Sequence, residues 1–138
     1  MFDYSWFDAI EYQQEKGIFF IVGGLFNYFK EERVTEVCQK MANQFPCGEL
    51  IFDVPSKFGM KYLNKRYKKM GVEGAENYFG VGNPEPLISK WSDKIHLIDW
   101  FTLFERTQRN PRWSRKTRFM MWACDVFRLG KFIHFKFQ

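Results

Sequence analysis

At 138 residues the chain can fill one hydrophobic core of ordinary size and not two. A composition that is 46% hydrophobic and 27% charged excludes intrinsic disorder and collagen-like repeats as the main state, and the most apolar run, 18–29, is too short for a bilayer-spanning helix. A net charge of +5 with a pI near 9.1 leaves anionic ligands, nucleic acid and acidic membrane surfaces open as partners without naming one.

The first element in chain order lies at 17–24, a continuous apolar, β-branched and aromatic run between glycines. Such a run predicts a strand buried on both faces, central in a parallel sheet. Beyond Lys30, the residues Val34, Val37, Cys38, Met41, Ala42 and Phe45 recur at helical spacing. Glu31 and Glu32 stand ahead of them, at what would be the positive end of a helix. The strand signature returns at 49–56 and stops at Pro55, so strand, helix and strand make a βαβ unit. A second helix is predicted over 57–70, with Phe58, Tyr62, Leu63 and Tyr67 near one face, lysines on the other and Gly71 at its end. Residues 76–80 read as a short extended piece, and Pro86 as part of the first turn of a helix through Leu87, Ile88 and Trp91. A third strand is expected over 94–101, an arginine-rich loop over 107–116, and a helix over 117–129 marked by Phe119, Met120, Ala123, Val126 and Phe127. The last segment, 131–137, alternates with period two as a half-buried strand does. No repeat, linker or low-complexity tract interrupts the chain, so 1–138 reads as a single domain.

In an open α/β sheet, ligands bind beyond the carboxyl ends of the strands. The first strand is followed by Gly23, Gly24, Leu25 and Tyr28; the glycines either let a ligand approach the backbone or only permit a tight turn. The second strand ends at Asp53, a carboxylate that orients or deprotonates a substrate or else caps a neighbouring amide. Ahead of the first strand, Asp3, Tyr4, Ser5 and Trp6 place a carboxylate beside aromatic rings, a pattern suited to a purine and equally to an N-terminal turn with a core tryptophan. Segments 57–69 and 106–118 each hold six basic residues, over half of the 21 Lys and Arg. Trp113 in the second adds a stacking group, while solvated faces are the ordinary reason for such runs. No RRM, KH, zinc-finger or P-loop pattern is present, so neither nucleic-acid binding nor nucleotide hydrolysis is expected. Cys38, Cys124, His96 and His134 fall on apolar or alternating faces and read as packing residues. Three cysteines without a CxxC pair and two histidines do not make up a zinc set, and no Ser-His-Asp or Cys-His arrangement points to a nucleophilic hydrolase. The expectation is a reduced, cytoplasmic protein with no metal and no membrane association; residues 1–10 carry no secretory pattern.

Asp3-Tyr4-Ser5-Trp6, then 19–29 with Gly23 and Gly24, then Glu31 and Glu32, then 45–53 ending on Asp53 form a succession that resembles the second half of a class I S-adenosylmethionine-dependent methyltransferase. Within that class it is similar to the leucine carboxyl methyltransferase and tetracenomycin polyketide O-methyltransferase group. Trp91 with 94–104, then 117–121 and 132–137, extend the likeness over nearly the whole chain. The resemblance implies an α/β fold whose four strands correspond to the fourth through seventh of a Rossmann-like methyltransferase sheet. Their order would be 4-5-7-6, with the last strand antiparallel and helices flanking. It implies the adenine of S-adenosylmethionine near Asp3, Tyr4, Ser5 and Trp6, and cofactor backbone contacts near Gly23, Gly24 and Leu25. A small-molecule acceptor would lie over the far rim, with Tyr28 and Asp53 as catalytic candidates and Phe58, Trp113 and Arg118 as substrate contacts.

The family's first strand and its glycine-rich turn have no counterpart in the chain: there is no GxGxxG element, and Gly71 and Gly74 follow a helix. A complete domain of this type needs roughly another hundred residues. The implied function is that of a truncated O-methyltransferase-like protein related to polyketide synthesis, inactive alone for want of the cofactor loop. The alternative is a non-catalytic module whose basic, aromatic surface binds a protein or nucleic acid. Without its neighbour, the strand at 18–22 keeps an open, apolar edge, which predicts a homodimer through that edge or by exchange of the N-terminal segment.

Overall fold

Four strands form one mixed sheet in a computed structural model that describes residues 2–138. They are β1 (Phe19–Val22), β2 (Glu49–Pro55), β3 (Ile95–Thr102) and β4 (Gly130–Phe137), in the order β1-β2-β4-β3. β1 runs parallel to β2, with Phe19 opposite Glu49 and Val22 opposite Phe52. β4 lies between β2 and β3 and is antiparallel to both, Phe135 facing Leu50 on one side and Leu97 on the other. A register shift between Leu97 and Asp99 bends β3.

The helices are α1 (Glu31–Gln44), α2 (Lys57–Lys69), the single turn α3 (Glu85–Ile88) and α4 (Arg115–Val126). α1 connects β1 to β2 and buries Val34, Val37, Cys38, Met41 and Ala42, with Glu31 and Glu32 in its first turn. Ser56 caps α2 by accepting from Gly59 N at 2.9 Å. Ser114 caps α4 by accepting from Thr117 N at 3.0 Å, which is why this helix begins two residues before the expected start. It ends where Arg128 takes a left-handed φ of 47° and Leu129 N returns to the Cys124 carbonyl.

Period two in β2 and β4 sorts their side chains by face. Leu50, Phe52, Val54, Ile133, Phe135 and Phe137 are buried on the face that meets α1, Phe26, Phe79, Ile88 and Trp91. At one end of this core Phe45 is surrounded by the rings of Trp6, Phe7, Tyr12 and Phe20, so the N-terminal segment closes the core.

On the opposite face Glu49, Ile51, Asp53, Phe132 and His134 are only half-buried, and this corrects the expectation for 17–24. The strand is an edge strand buried on neither face: Ile21 is 75% exposed and Phe19 51%, and Phe20 and Val22 are half-covered. Its apolar run would suit neighbours on both sides, but the described residues supply only β2. The expected extended piece at 76–80 forms no strand either. Asn77 is buried and exchanges hydrogen bonds of 2.8 Å with the Asn64 side chain, while Tyr78 N donates to the Asn27 carbonyl at 2.7 Å. Side-chain amides thus satisfy this backbone in place of a ladder.

Candidate functional site

The carboxyl ends of β1 and β2 meet at a turn held by one carboxylate. Gly24 has a left-handed φ of 61°, and an added Cβ would meet nothing within 4 Å, so conformation rather than space demands the glycine. Its N–H donates to Asp53 Oδ1 at 2.5 Å. Of the two roles open to Asp53, amide capping is therefore occupied by one oxygen; Oδ2 makes no hydrogen bond among the described residues.

From this turn a cleft of about 510 Å³ opens between α2 and α4. Tyr62, Leu63, Arg66 and Tyr67 form one wall and Phe119, Met120, Ala123 and Cys124 the other, each set spaced so that one helix face looks across the gap. Val54, Leu103, Leu129 and Gly130 make the floor, and Tyr28 and Asp53 stand at one end. Gly59 sets how closely α2 approaches the floor, since a Cβ there would lie 2.0 Å from the Leu129 carbonyl oxygen. The charged residues of the lining are Asp53 and Arg66. Burial, and then the Asp125 carboxylate, push the Cys124 thiol up, so it remains a neutral packing group at neutral pH.

The structure thus brings Gly24, Tyr28 and Asp53 together, with Gly23 and Leu25 exposed in the same turn. The three expected substrate contacts do not join them. Phe58 lies beside Phe127 in a separate groove of about 520 Å³, and Trp113 lies in another, of about 410 Å³, against Leu103 and Phe104. Arg118 lines neither groove nor the cleft, and its Nε is buried without a partner.

Asp3, Tyr4, Ser5 and Trp6 do not line the cleft either. Asp3 caps a tight N-terminal turn, accepting from Ser5 N at 3.0 Å, and this bond holds its carboxyl below the usual carboxylate range. The Tyr4 hydroxyl donates to Glu36 Oε1 at 3.1 Å and the ring lies 3.7 Å from Lys40 Nζ. Trp6 packs on Phe7 and Phe45.

Sequence reasoning missed Gly59, Arg66, Met120 and Cys124 as cleft residues. The available signal was the i, i+4 pairing within 57–70 and 117–129, which reads equally as a core-facing stripe. Among the described residues no group of three or more His, Cys, Asp or Glu is placed to hold a metal ion. In comparison with known proteins, no protein-family model and no curated protein matches the chain.

Proposed function

We propose that the chain is the acceptor-binding half of an S-adenosylmethionine-dependent O-methyltransferase-like domain, acting with a complementary half that brings the glycine-rich cofactor loop. The observation that carries this reading is the order β1-β2-β4-β3 with β4 antiparallel to both neighbours. This order is what the 4-5-7-6 arrangement of the resemblance would give, whereas a meander or a simple run of βαβ units would place β3 beside β2. The unpaired edge of β1 and the poorly covered sheet face around Ile21 support it further, since the remaining strands and helices of such a sheet would pack there. The cleft also lies at the carboxyl ends of the strands, where ligands bind in open α/β sheets.

The groups present do not make up a cofactor site by themselves. Tyr4 and Trp6 are engaged in packing, Asp3 caps its own turn, and no GxGxxG turn follows a strand. The described residues alone therefore have no means of presenting a methyl donor to an acceptor. Its contribution lies with the acceptor: the apolar walls suit the carbon skeleton of a polyketide-like molecule and keep water from it. At the end of the cleft, Asp53 Oδ2 is the group that would take the proton from the acceptor oxygen, and the Tyr28 hydroxyl would assist by hydrogen-bonding to that oxygen.

Calorimetry with S-adenosylmethionine tests the reading. The chain alone is expected to give no saturable heat, and the chain joined to an in-frame upstream segment carrying a strand and glycine-rich turn is expected to bind at micromolar concentration. A transcript encoding no such segment, with calorimetric silence, overturns it. In the absence of the complementary half, the open β1 edge recruits a second copy by edge pairing or segment exchange. Light scattering showing a monomer at high concentration overturns that part.

A further inference from the structure

α4 is inside out. Its buried residue is Met121, while Phe119, Trp122 and Val126, at i, i+3 and i+7, form a stripe toward solvent, Phe119 being 63% exposed and Val126 54%. Phe127 continues the stripe past the helix end, and α2 exposes Tyr62 across the cleft and Phe58 beside Phe127 in the neighbouring groove. A helix of a globular protein ordinarily turns such a stripe to the core.

The charge around these helices is one-sided. Segments 57–69 and 106–118 hold 12 of the 21 Lys and Arg and none of the 16 Asp and Glu, so the rest of the chain carries an excess of acid. Lys65 and Lys69 share the face of Tyr62, and Arg115 and Lys116 lie one turn ahead of Phe119. Of the twelve, only Arg106 and Arg109 form ion pairs among the described residues, with Asp99 and Asp125.

We propose that α2 and α4 dock the protein peripherally on an anionic lipid surface. The apolar stripe enters the headgroup and acyl boundary, and the surrounding Lys and Arg meet lipid phosphates and carboxylates. No helix of the described residues is long and apolar enough to cross a membrane, so the contact lies in the interfacial plane. Nucleic acid would use the positive charge and some rings, but it leaves aliphatic Val126 and Met120 exposed on a ridge with nothing to bury them. Tyr62, Phe119 and Met120 belong both to this face and to the cleft, so an apolar ligand can pass from bilayer to cleft without crossing bulk water. The inference does not depend on the methyltransferase reading.

Flotation of the full chain with vesicles tests it. Vesicles of phosphatidylcholine with about 30% phosphatidylserine should bind at least about tenfold more tightly than phosphatidylcholine alone, with loss of binding at high salt. The exposed double variant Phe119→Ser/Val126→Ser should weaken binding about tenfold or more, with unchanged circular dichroism and Tm. Lys65→Glu/Lys69→Glu should weaken it by a similar factor through charge. Absence of binding to the anionic vesicles at low salt overturns the proposal. So does binding that the charge variant weakens and the apolar variant leaves unchanged, or binding to single-stranded RNA with none to vesicles.

Discussion

Replacing Gly59 with alanine tests how tightly α2 rests on the chain entering β4. The added Cβ stands 2.0 Å from the Leu129 carbonyl oxygen and 2.9 Å from its carbon, while ordinary carbon contacts lie near about 3.5 Å. The first turn of α2 must therefore back away. The same carbonyl accepts from Ser56 N at 2.9 Å, and Ser56 Oγ accepts from Gly59 N at 2.9 Å, so the displacement strains both bonds. A lost cap costs about 1 kcal/mol, a lost hydrogen bond about 1 kcal/mol and residual overpacking about 1–3 kcal/mol. Alanine's better helix propensity returns about 1 kcal/mol, leaving a net destabilisation of about 2–4 kcal/mol. At roughly 3–4 °C per kcal/mol for a chain of this size, Tm should fall by about 10 °C. Urea and thermal unfolding measure this beside Gly82→Ala, where the new Cβ meets nothing within 4 Å and the change should stay within about 0.5 kcal/mol. Equal stability of the two variants, or a gain for Gly59→Ala of the size helix propensity alone demands, refutes the close approach.

Phe45→Ala should cost about 3–5 kcal/mol and release the segment held by Trp6, Phe7 and Tyr12; limited proteolysis that finds no new cut before β1 would contradict this. Asp53→Asn, which keeps an acceptor for Gly24 N, should change stability by less than about 1 kcal/mol, whereas Asp53→Ala should cost about 1–2 kcal/mol and speed exchange of the Gly24 amide. Identical exchange in the two variants would argue against the capping role. Burial pushes the Cys38 thiol well above its ordinary value. The unfolded thiol ionises above about pH 8.5 while the native one stays protonated. Its contribution is therefore constant below that pH and falls by about 1.4 kcal/mol per pH unit above it. Cys38→Ala should flatten the loss of stability between about pH 8 and 10 in urea titrations, and an unchanged slope would show that the thiol is not buried from water.

Local patterns made much of the framework legible. The helical spacing from Val34 to Phe45 and the period-two alternation of Leu50, Phe52 and Val54 each record which side meets the core, and those elements fall where the residues place them. Strand order is a different quantity, because the insertion of β4 between β2 and β3 rests on pairing across long separations that no window of sequence contains. No residue pattern along the chain states that order. The run at 17–24 misled because periodicity reports what a strand would bury, not whether the chain provides a cover for Ile21. Residues 76–80 misled because the bonds from Asn64 and Asn27 come from distant positions. At the site, the strand-end rule located Asp53, Gly24 and Tyr28. It did not extend to Phe58, Trp113 and Arg118, because which side of α2 or α4 meets the cleft depends on how the helices dock, and for α2 Gly59 against Leu129 sets that contact. The stripe of Phe119 and Val126 was visible as a stripe, but nothing local says that it points outward.

The two exposed apolar regions differ in backbone as well as charge, and the difference assigns them to different partners. On the sheet face beside β1, Glu49 and Asp53 stand with Lys136, and Glu49 shares a 2.8 Å hydrogen bond with the His134 ring, so acids outnumber the base there and the face has no attraction for an anionic surface. The edge of β1 also presents N–H and C=O groups whose partner must be water or another strand. Acyl chains offer neither, and each such group carried into hydrocarbon costs several kcal/mol. In α4 the backbone bonds are internal, Ser114 caps the start and Leu129 N closes the end, so burial of its ridge in a lipid interface leaves its helical ladder intact. The lipid-facing side must then be the one formed by α2 and α4, with the β1 edge held in water. In the proposed docking it would there remain open to another strand.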